Sequence, residues 1–292
     1  MALDLSLKID RVEGITREEF QKHYMRPQRP VIIKHLYGAE APIYTRWSFD
    51  HFRQELGHIE VGVYDVEGKE RKDDRSYKKA EAYMNFGEYL EQIEQGTTTR
   101  RLFLFNVFKH KKELRDDFHF PDIADYVVRQ LPLAFFGGKG AVTRIHQDMD
   151  MSNVFLTEAV GRKRVVLFDP KYSRLLYRYP FGVHTSVDIN HPDYDRFPAL
   201  AQVRGYDFEI EAGDTLFMPS GYWHHIEYLE ASIGVSVRSL APTVKMRLQG
   251  LANVGVLTHL DELFRWSMGQ KWFDIKKRIA HKRADSLLNV EV

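Results

Sequence analysis

Between about Pro132 and Leu240 the sequence breaks into short apolar runs separated by Gly, Pro, Asp and Asn, and this punctuation limits the fold more than any other feature. Runs of roughly 4–8 residues bounded by turn formers are strand-sized and too short for ordinary helices. Arg164–Phe168, Thr215–Met218 and Ile233–Val237 are the clearest strands. Asp169-Pro170, Ala212-Gly213-Asp214 and Pro219-Ser220-Gly221 supply turns between them. Many short strands of this kind predict an all-β sandwich or barrel. Asn190–Pro198 reads as a long polar loop.

The flanks differ in character. Before Leu131, Pro30–Ile33 reads as a buried strand. Phe49, Phe52 and Leu56 line one side of a helix that Gly57 closes, Val61, Val63 and Tyr64 suggest another strand, and Phe86–Ile93 has helical spacing. Glu67–Lys79 reads as a solvent-facing loop and Leu102–Val107 as a buried strand. From Pro242 onward, Val244, Leu248 and Leu251, then Leu260, Leu263 and Phe264, then Trp272, Ile275 and Ile279 recur at helical spacing. These two or three helices either cap the sheet or mediate dimerisation. The expected division is a β-centred domain with an N-terminal α/β elaboration, 1–240, and a helical segment, 241–292.

Composition narrows the chemistry. The 292 residues suffice for a sizeable core without covalent staples. Lys plus Arg number 42 against 41 acidic residues, a net charge of +1, so the molecule lacks the field of a dedicated nucleic-acid binder. Basic runs at Lys109–Lys112 and Lys271–Arg283 remain as local patches. Cysteine is absent, which removes disulfides, thiolate nucleophiles and Cys-based metal sites and suits a reducing compartment, so a cytoplasmic location is expected. No apolar run approaches the ~20 residues of a membrane span. Any metal must be held by His, Asp or Glu.

Two segments carry such ligands. In His146-Gln147-Asp148 an imidazole and a carboxylate stand two residues apart, and alternate strand residues project the same way. Far downstream, Trp223-His224-His225-Ile226 follows a strand and its turn. Adjacent strand residues face opposite ways, so one of His224 and His225 enters the same cavity. Two His and one carboxylate leave coordination positions open, the donor set of non-haem Fe(II) oxygenases, whereas zinc prefers a closed or three-histidine site.

Asn190–Pro198, Glu211–Pro219 and Tyr222–Glu227 together resemble the JmjC or cupin-like 2-oxoglutarate oxygenases, the nearest subgroup being that of the hypoxia-inducible-factor asparaginyl hydroxylase. The resemblance spans roughly Pro27–Leu240. It implies a mostly β fold, a double-stranded β-helix of cupin or jelly-roll type with flanking helices, and Fe(II) in its mouth. It matches His146, Asp148 and His224 to the catalytic metal ligands. It matches Lys163 to the basic residue that holds the distal carboxylate of the cosubstrate 2-oxoglutarate, Thr143 to a hydroxyl donor for that carboxylate, and Asn153 to a polar residue near it. The activity it implies is hydroxylation of a substrate C–H with O2 and oxidative decarboxylation of 2-oxoglutarate.

Local patterning pulls against some of these matches. Arg162 and Arg164 flank Lys163, as at a solvated strand end. Alternation places Arg144, not Thr143, on the face of His146, so either the strand is irregular or Arg144 takes part. Arg238 stands where the resemblance leads one to expect Asn, and alternation turns it into the cavity to meet a carboxylate, of cosubstrate or of protein. Phe103 replaces a Tyr whose hydroxyl would touch the cosubstrate. Tyr172, Tyr177, Tyr179, Phe181 and Tyr222 either line an entrance or pack. The implied substrate is a protein or peptide side chain, with RNA, tRNA above all, as the alternative. A non-catalytic metal- or ligand-binding module and a cupin enzyme that dispenses with 2-oxoglutarate are the other readings.

Overall fold

A computed structural model describes residues 2–64, 80, 82–96, 98, 100–102 and 105–288; the Glu67–Lys79 stretch and Phe103 lie outside the described residues. Two sheets face one another. The smaller contains β1 (Asp4–Leu7), β8 (Val142–His146), β10 (Arg162–Phe168), β11 (Arg204–Glu211) and β13 (Trp223–Tyr228), in the order β1-β11-β10-β13-β8. The larger contains β2 (Asp10–Glu13), β3 (Val31–Lys34), β4 (Glu60–Tyr64), β5 (Ala82–Asn85), β6 (Arg101–Leu102), β7 (Val127–Gly137), β9 (Asn153–Val160), β12 (Asp214–Met218) and β14 (Ser232–Ser239). Its order is β2-β3-β12-β9-β14-β7-β6-β4-β5. Consecutive strands β8, β9, β10 and β11, β12, β13, β14 alternate between the sheets except that β10 and β11 pair antiparallel in the same sheet, the double-stranded β-helix that the family resemblance implies.

Strand alternation sorts the apolar residues into three layers. Val165 and Leu167, Val154 and Leu156, and Leu216 and Met218 turn inward and fill the space between the sheets with Ile32, Ile210 and Tyr222. Phe155, Phe217, Ile233, Val235 and Val237 turn outward from the large sheet. There the N-terminal elements cover them with Phe20, Trp47, Phe52, Phe86 and Tyr89. Val166, Phe168 and Trp223 face outward from the small sheet against Tyr177, Phe197, Leu200, Ala280 and Ala284. Tyr177, Tyr179 and Tyr222 are therefore core residues, and packing accounts for them rather than an entrance.

Most local expectations hold. The helix Phe49–Leu56 starts at a Ser48 cap, whose side chain accepts from His51 N, and buries Phe49, Phe52 and Leu56 before Gly57. Leu102–Val107 differs. The described part of β6 is Arg101–Leu102, Phe103 and Leu104 lie outside the described residues, and Val107–His110 is a helical turn capped by the Asn106 side chain, which accepts from Phe108 N.

The C-terminal helices Val244–Ala252, Thr258–Met268 and Gln270–Leu288 do two things. The last of them buries Ala280 and Ala284 against the small sheet. The first approaches the loop after β8 so closely that a Cβ on Gly250 would lie 2.2 Å from Asp150 O. Their apolar spacing is not matched by uniform burial, since Val244, Leu248, Leu251, Leu263 and Trp266 are exposed. Among the described residues no helix is long and apolar enough to cross a membrane.

Candidate metal centre

The centre is made where β8 and β13 pair. His146 stands opposite His224 in the antiparallel register, their rings 4.1 Å apart between centroids. The chain then leaves the sheet through Gln147, whose side chain donates to Gly221 O, and delivers Asp148 to the same point. Ligand atoms of His146, Asp148 and His224 all lie within 4.8 Å of one another. His225 turns to the other face of β13, where its Nε2 meets Glu227 Oε1 at 2.9 Å. That settles which member of the pair belongs to the cluster.

The donors are in their metal-binding forms. His146 Nδ1 lies 2.9 Å from Arg144 O, and His224 Nδ1 lies 3.2 Å from Tyr222 O. A carbonyl accepts only from a protonated nitrogen, so both rings carry hydrogen on Nδ1 and keep the Nε2 lone pair. Burial, with His224 next, pushes His146 well below the ordinary imidazole value against the opposing pull of Asp148. Burial likewise lowers His224. Burial works against the Asp148 charge, but Arg238 above all, then His224 and His146, outweigh it and hold the carboxyl below the usual range. Two neutral imidazoles and a carboxylate need lose no proton to take up a divalent cation at neutral pH. The donor set fits Fe(II), with three of the positions of an octahedral ion left for other ligands.

Arg238 braces this loop. Its Nη2 lies 3.3 Å from Asp148 Oδ2, while Nη1 is 2.9 Å from both oxygens of Asp150 and donates to Ser152 Oγ at 3.1 Å. Arg238 thus turns into the cavity, as alternation predicts, and engages protein carboxylates there. Asn253 adds a second brace from the C-terminal segment, donating to Met149 O at 2.9 Å. A third imidazole, His184, bridges to the His146 backbone and stacks on its ring at 5.9 Å.

Thr143 and Lys163 also reach the interior. Between His224 and Ile226 the register slips, so that Ile226 pairs with Thr143, three residues before His146 instead of two. This bulge puts Thr143 on the face of His146, while Arg144 is exposed. Lys163 stands opposite Tyr228 and shares the inward face of His224. It is buried, not a solvated strand end. Its Nζ lies 2.7 Å from Glu158 Oε2 and 4.5 Å from the centre of the Tyr228 ring. Burial pulls Lys163 down, but Glu158 and then Tyr228 outweigh it and keep the ammonium above its usual value. The same burial raises Glu158 to about 7 despite Lys163.

Asn153 is the correction. It pairs with Ser239, on the outward face of β9 and away from the cavity. Its Oδ1 accepts from Ser220 N at 3.0 Å and its Nδ2 donates to Leu240 O at 3.1 Å and Ser239 Oγ at 3.2 Å. With every polar atom engaged, it ties β9 to the turn before β13 and has nothing to offer a cosubstrate. Glu158 and Tyr228 were not singled out from the sequence. Alternation carries both signals: Glu158 follows Val154 and Leu156 on one face, and Tyr228 follows His224 on another. His184 sits in irregular chain and has no such signal.

Comparison with known proteins agrees with this architecture. The chain is 27% identical over 243 residues to lysine-specific demethylase 8 of Xenopus tropicalis, a match covering 80% of this chain and 53% of the relative. It is 26% identical over 253 residues to tRNA wybutosine-synthesizing protein 5 of Gallus gallus, covering 80% and 77% respectively. Lysine-specific demethylase JMJ30 of Arabidopsis thaliana is 26% identical over 243 residues, with 78% and 54% covered. The chain thus spans about half the length of these demethylase relatives and about three quarters of the tRNA-modifying one. The family model of the cupin-like domain matches residues 17–238, from the first N-terminal helix to Arg238 in β14, and the chain belongs to that family.

Proposed function

We propose that the chain is an Fe(II)- and 2-oxoglutarate-dependent oxygenase that hydroxylates a C–H bond, its substrate a protein or peptide side chain. One observation carries this reading: His146, Asp148 and His224, from segments far apart in sequence, bring their ligand atoms within 4.8 Å of one another inside a cupin-like barrel. Bound iron would supply O2 activation coupled to decarboxylation of the cosubstrate. His146 and His224 hold their lone pairs toward the metal through Nδ1 contacts to carbonyls, and Arg238 and Asn253 keep the loop bearing Asp148 in place. Val154, Leu156, Val165, Leu167 and Leu216 keep water from the barrel interior. Thr143, Tyr228 and Lys163 form its polar end, where a distal carboxylate would be held. No residue in this scheme acts as a general base.

The test is succinate release from 2-oxoglutarate under Fe(II) and O2, with a +16 Da product sought after incubation with cell extract. Wild type is expected to give both; Asp148→Ala is expected to give neither. Turnover that survives Lys163→Ala points to a cupin enzyme without 2-oxoglutarate, and metal uptake without turnover on any substrate points to a binding module.

A tRNA substrate is the second reading, favoured by the larger share of the tRNA wybutosine-synthesizing protein that the chain covers. Lys109 and Lys112 are exposed, but Lys111 pairs with Glu55 and Lys276 is buried against Asp261, so part of the basic character is consumed internally. Binding to tRNA that collapses with salt would favour this reading. We further propose residues 1–240 as the catalytic unit and 241–292 as a helical segment through which two copies associate in the cytoplasm, without a membrane partner. The exposed row Val244, Leu248, Leu251, Leu263 and Trp266 supports association, and Trp266→Glu is expected to yield monomer by sedimentation.

A further inference from the structure

The barrel interior holds an anion of its own at the point where a cosubstrate carboxylate would bind. Glu158 Oε2 lies 2.7 Å from Lys163 Nζ, and the two side chains are 0% and 1% exposed. Gly234 on β14 makes room for them, since a Cβ there would lie 2.9 Å from Nζ and 3.1 Å from Oε2. The second oxygen of Glu158, Oε1, is buried too, with the Ser232 hydroxyl beside the carboxylate; that hydroxyl lies 3.0 Å from Glu230 O. The groups facing Glu158 from the packed strands are Lys163 of β10, Ser232 of β14 and, from β12, Asp214, whose charge is matched by Arg11 at 2.8 Å. Lys163 is the one cation in that set not committed to another carboxylate, and Tyr228 of β13 covers it.

A second carboxylate brought to Lys163 would leave two buried anions sharing one ammonium. Like charges a few ångströms apart in a dry site cannot both stay ionised. Building on the oxygenase reading above, we infer that Glu158 is an internal stand-in for the distal carboxylate of a dicarboxylate ligand, and that such a ligand enters as Glu158 takes a proton from solvent and gives up Lys163. The residue that is already half protonated near neutrality is the right one to yield, its value having been raised to about 7 by burial. Above that pH the ligand must drive protonation, so binding weakens as pH rises. The linkage for a single group at about 7 is roughly tenfold in Kd between pH 6 and pH 8.

The experiment is isothermal titration of the full chain loaded with Mn(II), at pH 6, 7 and 8, in buffers of different ionisation enthalpy. The probes are 2-oxoglutarate and 2-oxovalerate, which has the same chain length and keto acid head but no distal carboxylate. Protonation of the metal ligands affects both probes alike, so their difference reports the far end of the site. We expect 2-oxoglutarate to weaken about tenfold from pH 6 to pH 8, with uptake of about one proton at pH 8, and 2-oxovalerate to show neither. Glu158→Gln, which keeps the size but not the charge, is expected to bind 2-oxoglutarate about tenfold more tightly than wild type at pH 8 and without the pH trend. Should that variant fail to fold, the wild-type profile and proton count decide. Binding of 2-oxoglutarate with no proton uptake, or with the same pH profile as 2-oxovalerate, overturns the role of Glu158 and leaves the oxygenase reading standing. Failure of wild type to bind either keto acid at any pH overturns the oxygenase reading itself.

Discussion

The buried Glu158–Lys163 pair should leave a signature on folding stability that needs no ligand. Glu158 in the folded protein is raised to about 7, against an ordinary value of 4.5. A group whose folded value is raised contributes stability that is complete below its unfolded value and is lost as pH rises through its folded value. The whole rise corresponds to about 3 kcal/mol, of which about 1 kcal/mol is lost between pH 6 and pH 8.5. Lys163 does not disturb that window, because its own raised value places its loss at still higher pH. His146 and His224 are lowered, as are His51, His225 and His281, so their stability grows as pH rises past the ordinary imidazole value of 6.5 and opposes the Glu158 trend in the lower half of the window. Urea denaturation of the metal-free chain at half-unit steps from pH 6 to pH 8.5 is therefore read as the difference between wild type and Glu158→Gln, in which the imidazole contributions cancel. Because the amide does not titrate, wild type should lose about 1 kcal/mol of stability relative to Glu158→Gln between pH 6 and pH 8.5. Parallel curves for the two proteins would refute the assignment of a raised, buried carboxyl to this position.

Two further substitutions separate what holds the fold from what serves the centre. Asn153→Ala removes three buried hydrogen-bond partners from the outward face of β9 and is expected to cost about 1–3 kcal/mol in urea denaturation while leaving the Kd for 2-oxoglutarate unchanged; loss of cosubstrate binding in a stably folded variant would return Asn153 to the cavity. Gly250→Ala drives a methyl to 2.2 Å from Asp150 O, so the loop carrying Asp148 must shift, and Mn(II) affinity should fall roughly tenfold or more. Gly255→Ala, whose methyl meets nothing within 4 Å, is the control and should bind Mn(II) as wild type does.

The parts of this molecule that strand periodicity governs were legible before any coordinates. The inward Val165 and Leu167 and the outward Ile233, Val235 and Val237 follow from the pleat alone, whereas Asp148 meets His146 from beyond the end of β8, where the chain leaves the sheet through Gln147. The choice of His224 over His225 needed either the family resemblance or the coordinates, because alternation says that one enters but not which. Thr143 was named by the resemblance but not by alternation, for a definite reason: the bulge opposite Ile226 inverts the alternation, and no residue type marks it. Asn153 was misplaced because a motif match ignores facing, whereas its register with Ser239 fixes it outward. Glu158 looked like one more charge among 41 acidic residues, and its meaning depends on a partner in the neighbouring sheet. Val107 opens a helical turn instead of closing a strand because a side-chain cap at Asn106 favours the turn, a local effect that apolar content hides.

The account stands on one metal centre made by His146, Asp148 and His224. Its most direct test is titration of the metal-free chain with Mn(II), followed by the electron paramagnetic resonance signal of the free ion, in wild type and in His146→Ala, Asp148→Ala, His224→Ala and His225→Ala. The account predicts about one ion bound per chain in wild type and in His225→Ala, and binding lost in the other three. Undiminished binding in Asp148→Ala, or loss in His225→Ala with retention in His224→Ala, would contradict it.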